Sequence, residues 1–383
     1  MQEFNFLSHG IYDNYFDREI DAAEYARLKH ISDTVEATSM PAPLKAPPAA
    51  VDLSKYLHYI RYQTGGGCWG YSLNAVWDIM NEMLCPYSPD LSMCLGLWVH
   101  RNKEMLLAAG GLFLPDGRFI KMDKVLDEIP LIFGNTTEGT ELTHHQWTAA
   151  WSFEGVNEAS NYRLLSKPIP INVSSSEFIK WLVAGHPIRV HILQPGEDHF
   201  VAIVGYDSAN QTFKYVNSIG DRWGNEGFAN FTFSQIDNKN PVSAADIIKI
   251  IPPKPVPTAR ISFKHSANRL NVELWLSVED SPLQKRKIWP HLQPMRLSDN
   301  HTGWDENSSN LSFTVRLPSE FIWPPSPENR LILDLYDSGA YSDTGGTIEE
   351  FTAAFGGHIV ECSQLSIAPV NFKAKEHKQF YIT

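Results

Sequence analysis

A cysteine, a histidine and an asparagine spread along this chain are of the types needed for acyl transfer. Cys68 closes the run Tyr62-Gln63-Thr64-Gly65-Gly66-Gly67-Cys68-Trp69-Gly70-Tyr71-Ser72. Glycines before it let the backbone approach a substrate closely. Apolar residues then recur at Trp69, Leu73, Val76, Trp77, Met80 and Leu84, the spacing of a helix with one buried face. Cys68 therefore falls at a helix N-terminus, where unpaired N–H groups and the positive dipole end favour a thiolate over a thiol. A thiolate nucleophile needs an imidazole to take and return a proton, and donors for the oxyanion that forms. His199, inside Asp198-His199-Phe200-Val201-Ala202-Ile203-Val204, is the candidate imidazole. Asn217 is a candidate for holding that ring in orientation.

The elements that must carry these residues change character along the chain. Residues 17–31 read as a short helix, and Met40-Pro41-Ala42-Pro43 with Pro47-Pro48 as an extended linker. From about 50 to 180 the pattern is mainly helical, with further helices at 143–156 and 177–184. Serines at 174–176 and Glu177 form an N-cap and first turn. From 187 the period becomes two. Strands are expected at 188–192, 199–206 and 213–217, with Pro195-Gly196-Glu197-Asp198 as a turn. A helical half and a β half that share one site imply a cleft between them.

Pro252-Pro253-Lys254-Pro255-Val256-Pro257 marks the clearest boundary. Short strand-like segments follow at 259–263, 270–278, 311–317, 330–336 and 357–362, as in a β-sandwich. The expected division is an N-terminal arm and linker over 1–49, a first domain over 50–252 and an all-β domain over 258–383. The expected fold class is α+β.

Composition narrows the function. Apolar residues make up 43%, and the formal charge is -12 with no basic run, which argues against nucleic acid or an anionic membrane as partner. No apolar run is long enough to span a bilayer. The four cysteines include no CxxC pair, so a zinc ribbon is not expected. Cys85 and Cys94 are close enough in sequence for a local disulfide. No metal or cofactor is expected. His144-His145 point to different faces of a helix and read as surface or groove residues. Asp334, Asp337 and Asp343 fit no calcium loop and read as a solvated loop. Asn172 and Asn310 open glycosylation triplets that matter only in a glycosylating compartment.

Taken in order, Gln63, Gly67-Cys68-Trp69-Gly70-Tyr71-Ser72, Asp198 to Tyr206, and Asn217-Ser218-Ile219-Gly220-Asp221-Arg222-Trp223-Gly224 resemble the signature blocks of papain-like (family C1) cysteine peptidases. His199 and Asn217 also fall within the window, roughly 130–150 residues after the cysteine, that this group uses. The resemblance covers about 50–250. It implies a two-lobed fold, one lobe helical and the other barrel-like, and a thiol endopeptidase active on peptide or protein substrates. It implies Cys68 as nucleophile, His199 as general base and then acid, and Asn217 as its orienter. Gln63 and the Cys68 backbone N–H would stabilise the oxyanion, each donor contributing on the order of 3 kcal/mol. Trp69, Asp198, Ile219 and Trp223 would support the site, and Glu138 and Gly139 would border the S2 pocket.

Three departures from the family pattern stand out. Gln63 is one residue nearer the cysteine than usual, Gly65 replaces a half-disulfide cysteine, and Ile219 replaces the tryptophan that covers the His–Asn bond. The arm over 1–49 is expected to act as an intramolecular inhibitor of a latent, monomeric enzyme. The expected setting is a bacterial exported enzyme whose signal segment lies outside this sequence. Two alternatives are an inactive binding protein on the same fold, and a transpeptidase or amidase using the same three residues.

Overall fold

The computed structural model describes residues 46–58, 60–61, 68–91, 111–113, 119–121, 162–166, 168–194, 197–221, 223–265, 272–281, 284–289, 310–317, 321–339 and 344–383. Residues 1–45 of the N-terminal arm, Gln63, Cys94, Glu138, Gly139, His144-His145 and the expected helix at 143–156 lie outside the described residues.

The described chain begins with β1 (Ala50–Asp52) and a 3-10 turn at Ser54–Tyr56, followed by α1 (Cys68–Leu84). A small hairpin pairs β2 (Gly111–Phe113) with β3 (Phe119–Lys121). Next come β4 (Ile169–Pro170), α2 (Ser175–Val183), β5 (Ile188–Gln194), β6 (Glu197–Asp207) and β7 (Thr212–Val216). β8 (Phe228–Thr232), α3 (Phe233–Asp237) and β9 (Val242–Ile247) complete the first half.

These strands form one seven-stranded sheet in the order β4-β9-β5-β6-β7-β8, with β1 added along β6 beyond the end of β5. All its ladders are antiparallel. Helix α2 starts at Ser175 because the Ser174 side chain accepts the Glu177 N–H, satisfying an otherwise unpaired donor. Glu197 and Asp198, expected in a turn, belong to β6, because the β5–β6 ladder runs on to the pair Gln194 and Glu197.

The most consequential difference concerns α1. Its apolar spacing predicts one buried face, yet every residue from Cys68 to Glu82 is buried. Trp77, Val76 and Ile79 pack in one core with Ile188, Val190 and Val204 of the sheet. Asn74, Asp78, Asn81 and Glu82 are buried too, Asp78 against Arg61 and Leu91 and Glu82 against His58 and Arg260, so the helix side that a simple amphipathic pattern leaves to water is covered as well.

Arg260, which meets Glu82, belongs to the C-terminal half. β10 (Thr258–His265), β13 (Asn310–Arg316), β15 (Gly346–Phe355), β16 (His358–Glu361) and β17 (Val370–Phe372) form a five-stranded sheet. β12 (Gln284–Trp289), β11 (Val272–Ser281), β14 (Arg330–Asp337) and β18 (His377–Ile382) form a four-stranded one. Ile261, Phe313 and Phe351 of the first sheet share a core with Leu274, Leu333 and Phe380 of the second, so the two sheets form a sandwich.

Strand β15 is absent from the sequence expectation although it is central. A bulge against β10 skips Glu349, so the inward residues Ile348 and Phe351 are three apart and the alternation is broken. Asp334 and Asp337 are also corrected. Neither lies in a solvated loop; both are buried in β14. Asp337 accepts from His265 at 3.1 Å and from the Gly339 N–H at 2.8 Å. Asp334 accepts from His377 at 3.0 Å and Gln379 at 2.6 Å. Donors on neighbouring strands compensate the loss of water, a pairing no local pattern reveals. Asp343 lies outside the described residues.

Candidate active site

Cys68 is the first residue of α1, whose first turn carries no acidic side chain to cancel the positive helix end. It is buried beside Trp69. Burial acts to raise its thiol. The His199 side-chain hydrogen bond, the Phe200 N–H, the His199 charge and the Trp69 N–H outweigh burial and hold the thiol below its ordinary value. The other free thiols among the described residues go the other way. Burial and the Glu82 carboxylate push Cys85 up, and burial pushes Cys362 up.

His199 lies on β6 and Asn217 follows the end of β7. Their meeting depends on one irregularity. From Asp207 to Gly205 the strands pair in one register; at Ile203 the partner is Tyr215, so Val204 is bulged out. A one-residue shift exchanges the two faces of a strand. In the register before the bulge, Asn217 would share a face with Phe200. After it, Asn217 shares a face with His199. The His199 Nε2–H donates to Asn217 Oδ1 at 2.8 Å, with both residues buried. That bond assigns the tautomer and leaves Nδ1 as the ring nitrogen for the sulfur.

The loop after Asn217 is seated by its backbone. The Asn217 N–H donates to the Gly227 carbonyl at 3.0 Å, and the Gly220 N–H to the Arg61 carbonyl at 3.1 Å. Gly227 has φ +82, and a Cβ there would lie 2.5 Å from Ile60 Cδ1. Between Asn217 and Arg61 is a cavity of about 20 Å³, also lined by Tyr71 and Ser72, with room for one water.

Of the remaining candidates, Trp223 sets its ring 6.0 Å from that of Tyr215, and Ile219 is 39% exposed. Asp198 lies in β6 opposite Leu193. Gln63, Glu138 and Gly139 lie outside the described residues.

Sequence reasoning missed the charged layer behind α1. Arg61 Nη1 donates to Asp78 Oδ2 at 2.6 Å and Nη2 to the Leu91 carbonyl at 2.6 Å. Burial pushes Asp78 up to about 6 against the pull of Arg61. His58 Nδ1 is 2.7 Å from Asp90 Oδ1, and its Nε2 is 3.6 Å from Glu82 Oε2. Burial alone would lower His58. The Asp90 and Glu82 carboxylates outweigh it and raise the ring to about 9, so it is a fixed cation at neutral pH. The available signal was Asp78 itself, a carboxylate set between Trp77 and Ile79 in an apolar helix stretch.

No known family profile matches the sequence, and no curated protein matches it significantly. The structure is similar, at low identity, to those of papain-like cysteine proteases. Xylellain, a cysteine protease from Xylella fastidiosa, is 18% identical, with 55% of this chain and 90% of that one covered at a TM-score of 0.41. Digestive procathepsin L 3 of Tenebrio molitor larval midgut is 16% identical, with 62% and 90% covered at 0.41. The cysteine protease and lectin-like domains of Cwp84, a surface layer associated protein of Clostridium difficile, are 10% identical, with 94% and 96% covered at 0.34. Among the described residues, no helix is long and apolar enough to cross a membrane.

Proposed function

We propose that this chain is a thiol peptidase that cleaves peptide bonds through an acyl-enzyme on Cys68. One observation carries the proposal: a thiol held low by His199, whose far ring nitrogen is held by Asn217 at 2.8 Å. The Cys68 thiolate attacks the substrate carbonyl carbon, and its electron pair forms the S–C bond. The carbonyl oxygen becomes an oxyanion, stabilised by the Cys68 N–H and the Gln63 amide. The imidazolium of His199 gives its proton to the leaving amine as the C–N bond breaks. Water then attacks the thioester while His199 takes its proton. Collapse returns thiolate, imidazolium and a free acid. Asn217 keeps the ring in plane throughout.

The unit doing this spans 50–252, with the sandwich over 258–383 appended. On this reading the arm over 1–49 acts as the inhibitor that keeps the enzyme latent, in an exported, monomeric protein. Incubating the chain with an epoxide thiol inhibitor after residues 1–45 have been removed from the folded protein, and mapping the adduct, tests the core claim. Modification is expected at Cys68 and not at Cys85; an unmodified Cys68 in folded protein would leave only a binding protein. Latency is tested separately. Deleting residues 1–45 is expected to raise peptide hydrolysis, and no gain removes the inhibitor role.

A further inference from the structure

The sandwich meets the Cys68 lobe through charge. Asp90 donates its N–H to the Thr314 carbonyl at 2.9 Å and accepts the Thr314 N–H on Oδ2 at 2.6 Å. Its other oxygen holds His58, which also faces Glu82 of α1. Glu82 Oε1 accepts from Arg260 Nη2 at 2.9 Å, and Arg260 Nε donates to Thr314 Oγ1 at 2.8 Å. The Arg260 guanidinium lies 4.1 Å over the Tyr87 ring. Two cations therefore face two anions, with side-chain exposures between 3% for Asp90 and 12% for Arg260. Burying each ion costs several kcal/mol, and such clusters are better suited to setting register than to adding stability. The Pro252–Pro257 linker alone would tether a detachable module. This junction holds one geometry.

From the junction, a series of hydrogen bonds and one packing contact reaches the site. Leu91, next to Asp90, gives its N–H to Asp78 Oδ1 at 2.9 Å and its carbonyl to Arg61. Asp78 belongs to the helix that Cys68 opens. The Arg61 carbonyl holds Gly220, Ile60 packs into the space that the missing Gly227 side chain leaves, and Gly227 holds Asn217.

We propose that Asp90 and Arg260 are positioning residues for the thiol–imidazole pair: through them the sandwich sets segment 60–61, and that segment aims Asn217 at His199. The inference rests on Cys68 and His199 being the reacting pair.

The test uses protein folded at full length and then freed of residues 1–45, carrying Arg260→Met, which keeps a stem over Tyr87 but no donors, or Asp90→Asn. Lys264→Met is the control, since it breaks an exposed pair with Glu349 on the same strand. Iodoacetamide alkylation of Cys68 is followed by peptide mass analysis across pH, well below each Tm, alongside kcat and KM. In Arg260→Met and Asp90→Asn the reactive limb is expected to move up by about one pH unit, as a weakened imidazolium partner releases the thiolate. kcat should fall about tenfold with KM nearly unchanged, the signature of an effect on chemistry rather than binding. Lys264→Met should match wild type. Folded variants with a lowered Tm but a wild-type alkylation profile and kcat would reduce the junction to a structural contact and overturn the proposal. If Asp90→Asn does not fold, Arg260→Met decides, and if Arg260→Met also fails, Thr314→Val, which removes only the Oγ1 acceptor, takes its place. A wild-type Cys68 that is unreactive at low pH would instead overturn the peptidase assignment, a distinguishable result.

Discussion

His199 and His58 lie in the same half of the molecule, both almost out of solvent, each with an oxygen 2.8 Å or 2.7 Å from a ring nitrogen. The kind of oxygen separates them. His199 faces a neutral amide on one side and a thiol on the other, so the proton has somewhere to go. His58 faces carboxylates on both sides, which keep it protonated up to about 9. Equal burial thus yields two different devices. A neutral partner orients an imidazole and leaves its charge to follow the reaction, whereas an anionic partner fixes the charge and makes the ring a structural cation. In the sandwich, buried His265 likewise meets a carboxylate, Asp337, at 3.1 Å.

The contrast is broken most severely at the sulfur. Cys68→Ala should abolish peptide hydrolysis by at least ~10⁴-fold without lowering Tm, measured on fluorogenic peptides. Removing each histidine should then give opposite results. His199→Ala is expected to lose about 10³-fold in kcat/KM and little stability. His58→Gln leaves Asp90 buried without its cation and Glu82 with Arg260 alone, and should cost about 3 kcal/mol in urea unfolding.

His58 also predicts a pH dependence. Its folded value of about 9 stands above its ordinary 6.5, so the folded state binds the proton more tightly. That stabilisation is complete below pH 6.5 and is lost as pH rises through 9, a decline of up to about 3 kcal/mol that His58→Gln should not show. A flat wild-type stability curve over that range would mean that the junction carries no bound proton.

Asn217→Asp makes His199 resemble His58. The alkaline limb of kcat/KM should move up by about one unit, and an unmoved limb would show that the amide's neutrality is unimportant. Ile219→Ala sharpens the comparison least. With this side chain already 39% exposed, the change in kcat/KM should stay under about threefold.

Much of the architecture could be read in sequence because it depends on neighbours along the chain. α1 and α2 announce themselves by apolar period and capping serine, and β5, β6, β7, β10 and β14 by alternation. What could not be read depends on which strands lie side by side. The bulge at Val204 decides whether Asn217 shares a face with His199, and the bulge at Glu349 hides β15 by breaking its alternation. The burial of the polar side of α1 could not be read either, since its partners Arg61, Leu91 and Arg260 come from separate stretches of the chain.

Residue types and spacing alone determined that a cysteine would open a helix, that a histidine and an asparagine would follow on strands, and that a β-rich half would come last. Helix dipoles, capping and period act over a few residues, so a linear string encodes them. Tertiary structure alone decided that His199 meets Asn217 on one face and that the sandwich reaches the Cys68 helix through Asp90, Glu82 and Arg260. Those pairings close loops of many residues, and their free energy depends on register and burial that exist only once the sheets have formed.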